Sequence, residues 1–212
     1  MTDSGYFIAF EGGDGAGKST QVRHLVAALE AAGREVVVTR QPGGTALGAA
    51  LRDLVLHGEA ITPRAEALVF AADKAQHVAE VVLPSLARGA VVVTDRYTGS
   101  SVAYQGAARA LGPQEVRVLS LWATGSLLPD LTVLLDGDPD LAERRTTGRG
   151  AKDRLEQEGD AFRVALREQF LTLAQSEPER FVVVDADRLA EGIDRVSTIA
   201  SEKTRAVKIG VE

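Results

Sequence analysis

Five short runs of mostly β-branched and aromatic residues punctuate the chain, at residues 6–10, 35–39, 90–94, 131–135 and 181–184. Between them the apolar positions recur with helical period. Val22, Leu25, Val26 and Leu29 fall on one face of a helix that Gly33 ends, and Leu47, Leu51, Leu54 and Val55 form a second stripe. Thr62 followed by Pro63 reads as an N-cap with proline at the first helical position. That stretch runs towards Leu86 and ends at Gly89, and Pro84 predicts a kink or break within it. Further helices are expected over 113–123, 160–175 and 189–200. Apolar strands alternating with helices indicate βαβ units, hence an α/β fold whose parallel sheet is covered on both faces.

Sheets of this kind bind ligands beyond the carboxyl ends of their strands. The segments to weigh for chemistry are therefore 11–20, 40–45, 95–105, the stretch from Asp136, and 185–188. Residues 143–158, rich in Arg, Gly and acid, break the alternation and read as a surface loop or lid.

Composition narrows the class. A chain of 212 residues with 45% hydrophobic and 25% charged residues fits one globular domain spanning 1–212, and excludes a disordered or fibrous chain. Lys and Arg number 24 against 30 Asp and Glu, a net charge of -6, so a basic surface for duplex nucleic acid is not expected. The chain has no cysteine, which removes disulfides, zinc-thiolate sites and a thiol nucleophile. Residues 1–5 are polar and no apolar run nears the roughly 18 residues that span a bilayer, so the expectation is a cytoplasmic protein without signal peptide or membrane segment. His24, His57 and His77 share no spacing with one another or with carboxylates and read as surface residues; Trp122 reads as a core or helix-interface residue.

Gly12-Gly13-Asp14-Gly15-Ala16-Gly17-Lys18-Ser19 matches G-x-x-x-x-G-K-[ST] between a strand and a helix. Small residues let backbone N–H groups turn inward around a phosphate, and the helix N-terminus adds its positive dipole end. Lys18 is placed to reach the β- and γ-phosphates of a nucleotide such as ATP, Ser19 to ligate Mg²⁺, and Thr20 to support the α-phosphate. Asp95, closing an apolar strand, reads as the second acidic element that the metal and its water shell need, or as an ordinary acid at a helix start. Arg96 beside it reads as a clamp on anionic oxygens. Asp14 has two readings: it holds an arginine or a metal-bound water, or it stabilises the turn through its own backbone.

The phosphate loop is followed in order by Thr39-Arg40-Gln41-Pro42-Gly43-Gly44-Thr45, Phe70-Ala71-Ala72-Asp73-Lys74, Asp95-Arg96-Tyr97, Ala103-Tyr104-Gln105-Gly106 and Asp153-Arg154-Leu155-Glu156. Together these resemble bacterial thymidylate kinase over all but the first five and the last ten or so residues. The resemblance implies a five-stranded parallel sheet with helices on both faces and a lid, a homodimer, and transfer of the γ-phosphoryl of ATP to dTMP, giving dTDP. It assigns Phe70 to stack on thymine, Lys74 to donate to a thymine carbonyl where the family usually has Arg, and Ser101 to the base edge. Tyr104 and Gln105 would wall the deoxyribose, with Arg40 and Arg52 near the acceptor phosphate. Phe70 also reads as a core residue, and Arg52 as a solvated one. In one branch of the family an Arg in the phosphate loop supplies catalytic charge. Here that position is Gly15, and Arg144, Arg145, Arg149 and Arg154 lie around the lid instead, with Arg149 the candidate clamp over the phosphates. Two rivals remain: a kinase for another nucleoside monophosphate or deoxynucleoside, and a nucleotide-dependent switch, although no Asn-Lys-x-Asp run is present.

Overall fold

A computed structural model describes residues 5–138, 141, 142, 144, 154, 155 and 158–188. The five apolar runs form β1 (Tyr6–Glu11), β2 (Val36–Arg40), β3 (Val91–Asp95), β4 (Leu131–Asp136) and β5 (Phe181–Asp185). They pair in the order β2-β3-β1-β4-β5, every neighbour parallel. Each strand runs one residue past its apolar run into a charged residue: Glu11, Arg40, Asp95, Asp136 and Asp185. Backbone pairing is indifferent to side-chain polarity, so the ladder carries these groups to the carboxyl edge, with Asp95 in register with both Phe10 and Arg40. Central strands β1, β3 and β4 are buried almost throughout, but β2 is an edge, and its Val38 is half-exposed.

The helices are α1 (Lys18–Ala31), α2 (Ala46–His57), α3 (Pro63–His77), α4 (Leu83–Ala87), α5 (Thr98–Ser101), α6 (Pro113–Ala123) and α7 (Asp160–Ser176). Helix α1 turns Val22, Leu25 and Leu29 onto β1, β3 and β4, and burying a side chain such as Leu25 stabilises the fold by about 2 kcal/mol. The Thr45 and Thr62 side chains cap α2 and α3 by accepting from the amides of Gly48 and Ala65. The helix expected over 189–200 lies outside the described residues. Among those residues no helix is long and apolar enough to cross a membrane.

Two expectations need correction. Pro84 does not break its helix: the preceding residues Val78–Val82 widen into a π-helical turn, and α4 continues from Leu83. Proline lacks the amide for a regular helical bond and its ring crowds the preceding turn, so widening relieves both. The Tyr-Gln-Gly segment lies in a second π-helical stretch, Val102–Ala108, closed by Arg109 N donating to Tyr104 O at 2.9 Å. Trp122 is not in the core. Helix α6 buries Val116 and Ser120, which puts Val118 and Trp122 on the opposite face, and Trp122 is 81% exposed.

His77 is the third correction, because it is fully buried rather than at the surface. Its Nε2 lies 2.7 Å from Thr39 Oγ1 and its Nδ1 2.9 Å from Gln41 Nε2, tying α3 to the end of β2. Burial, reinforced by the Lys74 charge, lowers its pKa to about 4. An unfolded histidine titrates near 6.5, so the neutral buried ring contributes stability that is complete above that pH and lost as pH falls towards 4, about 3 kcal/mol in all. Urea denaturation at pH 7 and pH 4.5 should therefore show a smaller acid loss in His77→Asn than in the unaltered protein; equal losses would remove His77 from the acid response.

Candidate active site

The phosphate loop leaves β1 through Gly12, whose φ of +135° and close approach to Leu135 O, 2.5 Å from where a Cβ would stand, admit no other residue. Lys18, at the start of α1, lays its ammonium back across the loop, donating to Gly12 O at 3.0 Å and Gly13 O at 2.7 Å. Burial first, then the neighbouring Arg96, lower its pKa to about 8, against the pull of Asp14, Asp95 and Glu11. Ser19 is exposed beside it and Thr20 half-buried. At Gly15 (φ +79°) a Cβ would stand 2.1 Å from Ala142 O, so the chain beyond β4 closes directly on the loop.

Arg96 crosses from the end of β3 to the same loop. Its backbone is left-handed (φ 70°), with its N–H donating to Phe10 O at 2.9 Å. Its Nη1 donates to Gly12 O at 3.1 Å and Ser100 Oγ at 3.0 Å, and its Nη2 to Asp14 Oδ1 at 2.5 Å and Tyr104 Oη at 3.0 Å. Tyr104 in turn donates to Asp14 Oδ2 at 2.8 Å. Of the two readings of Asp14, the structure selects the first, since its carboxylate holds an arginine. Although burial pushes the other way, the charges of Arg96 and Lys18 keep that carboxyl well below the usual range.

The sequence reading passed over Glu11. It is buried at the end of β1, where Oε1 accepts from the amides of Tyr97 and Ser100, both at 3.0 Å, and Oε2 from Ser100 Oγ at 2.5 Å. Burial raises its pKa, with the Ser100 hydrogen bonds and Arg96 opposing. The signal was available: a carboxylate closing an apolar central strand is the feature that singled out Asp95. Asp95 itself keeps Oδ1 buried and without a hydrogen-bond partner.

A cavity of about 540 Å³ opens on the other side of Arg96, with Asp14, Arg52, Phe70, Lys74, Ser101 and Gln105 among its walls. Lys74 is buried in it, donating to Ser101 Oγ at 2.7 Å with Nζ 5.8 Å from the Phe70 ring centroid. Burial lowers its pKa to about 8, with Asp73 opposing. Phe70 packs with Val55 and Leu56, as its core reading has it, and also lines the cavity. Arg52 Nη1 donates to Pro42 O at 3.2 Å, which brings its guanidinium to the wall, whereas Arg40 is exposed at the end of β2 and is not among the lining residues. Below the loop 41–45, Asp73 Oδ1 accepts from Gly43 N at 3.0 Å. A larger cavity of about 870 Å³ lies between the phosphate loop, the ends of β4 and β5, and α7; Asp14, Tyr104 and Leu155 border both.

Residues 10–195 match the family model described as Thymidylate kinase. A thymidylate kinase of Bifidobacterium longum (strain NCC 2705) is 57% identical over 195 residues, covering 90% of this chain and 94% of the relative. One from Clavibacter michiganensis subsp. michiganensis is 56% identical over 205 residues, covering 96% and 95%, and one from Methylococcus capsulatus is 47% identical over 184 residues, covering 87% and 88%. The chain belongs to the thymidylate kinase family.

Against that family frame, the structure gathers Lys18, Asp14, Arg96 and Tyr104 at the loop, and Phe70, Lys74, Ser101 and Gln105 around the adjoining cavity. Among the lid arginines, Arg145 and Arg149 lie outside the described residues and Arg144 is exposed. Arg154 turns away from the loop, pairing with Glu66 at 2.5 Å. Arg96→Ala removes four side-chain hydrogen bonds at the point where loop and cavity meet. Steady-state assays on the folded variant should find turnover reduced on the order of 10²-fold or more; unaltered kcat and KM would assign Arg96 a structural role alone.

Proposed function

We propose that this chain transfers the γ-phosphoryl group of ATP to dTMP, giving dTDP. The observation that carries the reading is the acceptor cavity itself: it offers an aromatic face and a buried ammonium, and its inner wall is the phosphate loop's own Asp14 with Arg96. A base seated against Phe70 and Lys74 projects its 5′-phosphate towards the place where the loop holds the donor. The bond between the γ-phosphorus and its bridging oxygen breaks, a bond to an oxygen of the acceptor phosphate forms, and ADP leaves. That acceptor oxygen is already ionised, so no general base is needed, and positioning with positive charge does the work.

Residues 12–20 cradle the ATP phosphates, and Lys18 exchanges its hydrogen bonds to Gly12 O and Gly13 O for phosphate oxygens. Arg96, and Arg149 from the lid, neutralise charge on the transferring group. Ser19 and Asp95 would hold Mg²⁺, for Asp95 Oδ1 is a buried acceptor lacking a partner. When bound, the ion supplies charge neutralisation between the phosphates. Arg40 and Arg52 attract the acceptor phosphate, and Ser101, Tyr104 and Gln105 shape the sugar and base walls.

The test is a panel of nucleotide acceptors in a coupled ADP assay. Phosphorylation of dTMP above dUMP, with dCMP excluded, supports the reading; equal turnover of purine nucleotides would overturn it. Cytosine presents an amino group where thymine and uracil have a carbonyl, and an ammonium cannot donate to it. Lys74→Met should thus raise dCMP use relative to dTMP by about tenfold while hardly moving the dTMP to dUMP ratio, which rests on methyl packing worth roughly 1 to 3 kcal/mol. Lys74 is charged below about pH 8 and neutral above it, so dTMP binding weakens as pH rises through that value, a step that the same variant removes.

The homodimer that the family resemblance implies belongs to the same proposal. Leu54 on α2, Leu68 on α3, and Val118 and Trp122 on α6 are large apolar side chains left exposed on one chain. A second copy covers them. Light scattering on Trp122→Glu should find a monomer where the unaltered protein runs as a dimer; an unchanged mass would place the interface elsewhere.

A further inference from the structure

Glu66 has no part in the chemistry described above, yet it is among the most completely buried charged groups in the chain. Both of its oxygens are used. Oε1 accepts from Gln105 Nε2 at 2.8 Å and lies 3.5 Å from Arg109 Nε, while Oε2 accepts from Arg154 Nη2 at 2.5 Å. Arg154 Nε also donates to Val55 O at 3.0 Å, in the last turn of α2, where helix carbonyls lack intrahelical partners. The Nε–Nη2 edge of this guanidinium, the edge that grips an anion side-on, is therefore already occupied on the acceptor side of the molecule. Arg109 extends the chain of charges by pairing with Glu158 Oε1 at 2.5 Å, just ahead of α7.

The residue that this anchoring places is the next one, Leu155. It packs against Val55, Leu56 and Phe70 on one side and against the group containing Tyr104, Leu166 and Phe170 on the other. It also borders both the acceptor cavity and the cavity beside the phosphate loop. Glu66 sits one helical turn before Phe70 and two turns before Lys74, so the carboxylate that fixes Arg154 is rigidly spaced from the groups that would meet the base.

We infer that Glu66 is a positioning residue of the acceptor site, holding Arg154 so that Leu155 completes the apolar wall of the base pocket beside Phe70, and that Arg154 serves acceptor binding and not the donor phosphates. The inference rests on the reading of the cavity as the dTMP site. Without the anchor, Leu155 loses its fixed place and dTMP loses an apolar wall, while ATP, held by residues 12–20, is unaffected.

The experiment is a double-mutant cycle on the full-length protein with Glu66→Gln, Arg154→Ala and their combination, reading KM and kcat for dTMP and for ATP. Glu66→Gln keeps the volume and the bond to Gln105; should it fail to fold, Arg154→Ala, at a partly exposed residue, carries the same readout. Each single variant is expected to raise KM for dTMP about tenfold, more than it lowers kcat, with KM for ATP within about twofold. The double variant should be no worse than the poorer single, because both remove one interaction. An unchanged KM for dTMP in Arg154→Ala, effects that multiply in the double variant, or a rise in KM for ATP would each overturn the inference. Lys74→Met, measured alongside, separates the two levels: if it alone raises KM for dTMP, the anchor fails and the cavity reading stands, and if no variant moves that constant, both fail.

Discussion

One guanidinium makes the active site a single object. Strands β1 and β3 are parallel neighbours, so their following loops leave the sheet at the same edge, and Arg96 spans the gap between them. Holding its backbone in the left-handed region costs on the order of 1 to 3 kcal/mol. The charge-assisted bond to Asp14 and the bonds to Gly12 O, Ser100 Oγ and Tyr104 Oη offset that cost. Burying Lys18 and Arg96 side by side would be ruinous without compensation, and the nearby carboxylates of Asp14, Glu11 and Asp95 provide it. The loop is thus held in shape by its own internal neutralisation, and an incoming phosphate meets cations already fixed in place.

Helix α3 distributes that order across the acceptor side. Its buried face carries Glu66, Phe70, Asp73, Lys74 and His77 at helical spacing. From one end to the other it ties residue 154, the cavity, the Gly43 amide and the end of β2. A helix with so many buried polar groups gains little from the apolar effect and instead gains definition, since the partners of each group restrict the geometry it can take.

This explains what could and could not be read from the amino-acid order. Strand runs, the cap at Thr62, and the chemistry at strand ends are local, so Lys18, Asp95 and Arg96 stood out directly. Phe70 and Lys74 were placed on one face by their spacing; continuing that face one turn each way reaches Glu66 and His77, which composition alone marks as surface residues. Their burial depends on Gln105, Arg154, Thr39 and Gln41, partners from distant parts of the chain that no local pattern announces. Trp122 erred in the opposite direction: an aromatic residue was assigned to the interior by type, whereas the face of α6 it occupies is set by Val116 and Ser120.

The approach of Ala142 O to Gly15 has an evolutionary reading. A side chain at position 15 would occupy the space that the chain after β4 now fills, 2.1 Å from a backbone oxygen that cannot rotate aside. A phosphate loop bearing its own arginine at that place and a covering segment that descends this closely are mutually exclusive architectures. A lineage moving from one to the other cannot do so by a single codon change: residue 15 and the path of the chain around residue 142 must change together. Position 15 and the path of the chain around residue 142 are held to one another by excluded volume, independently of any charge the loop carries.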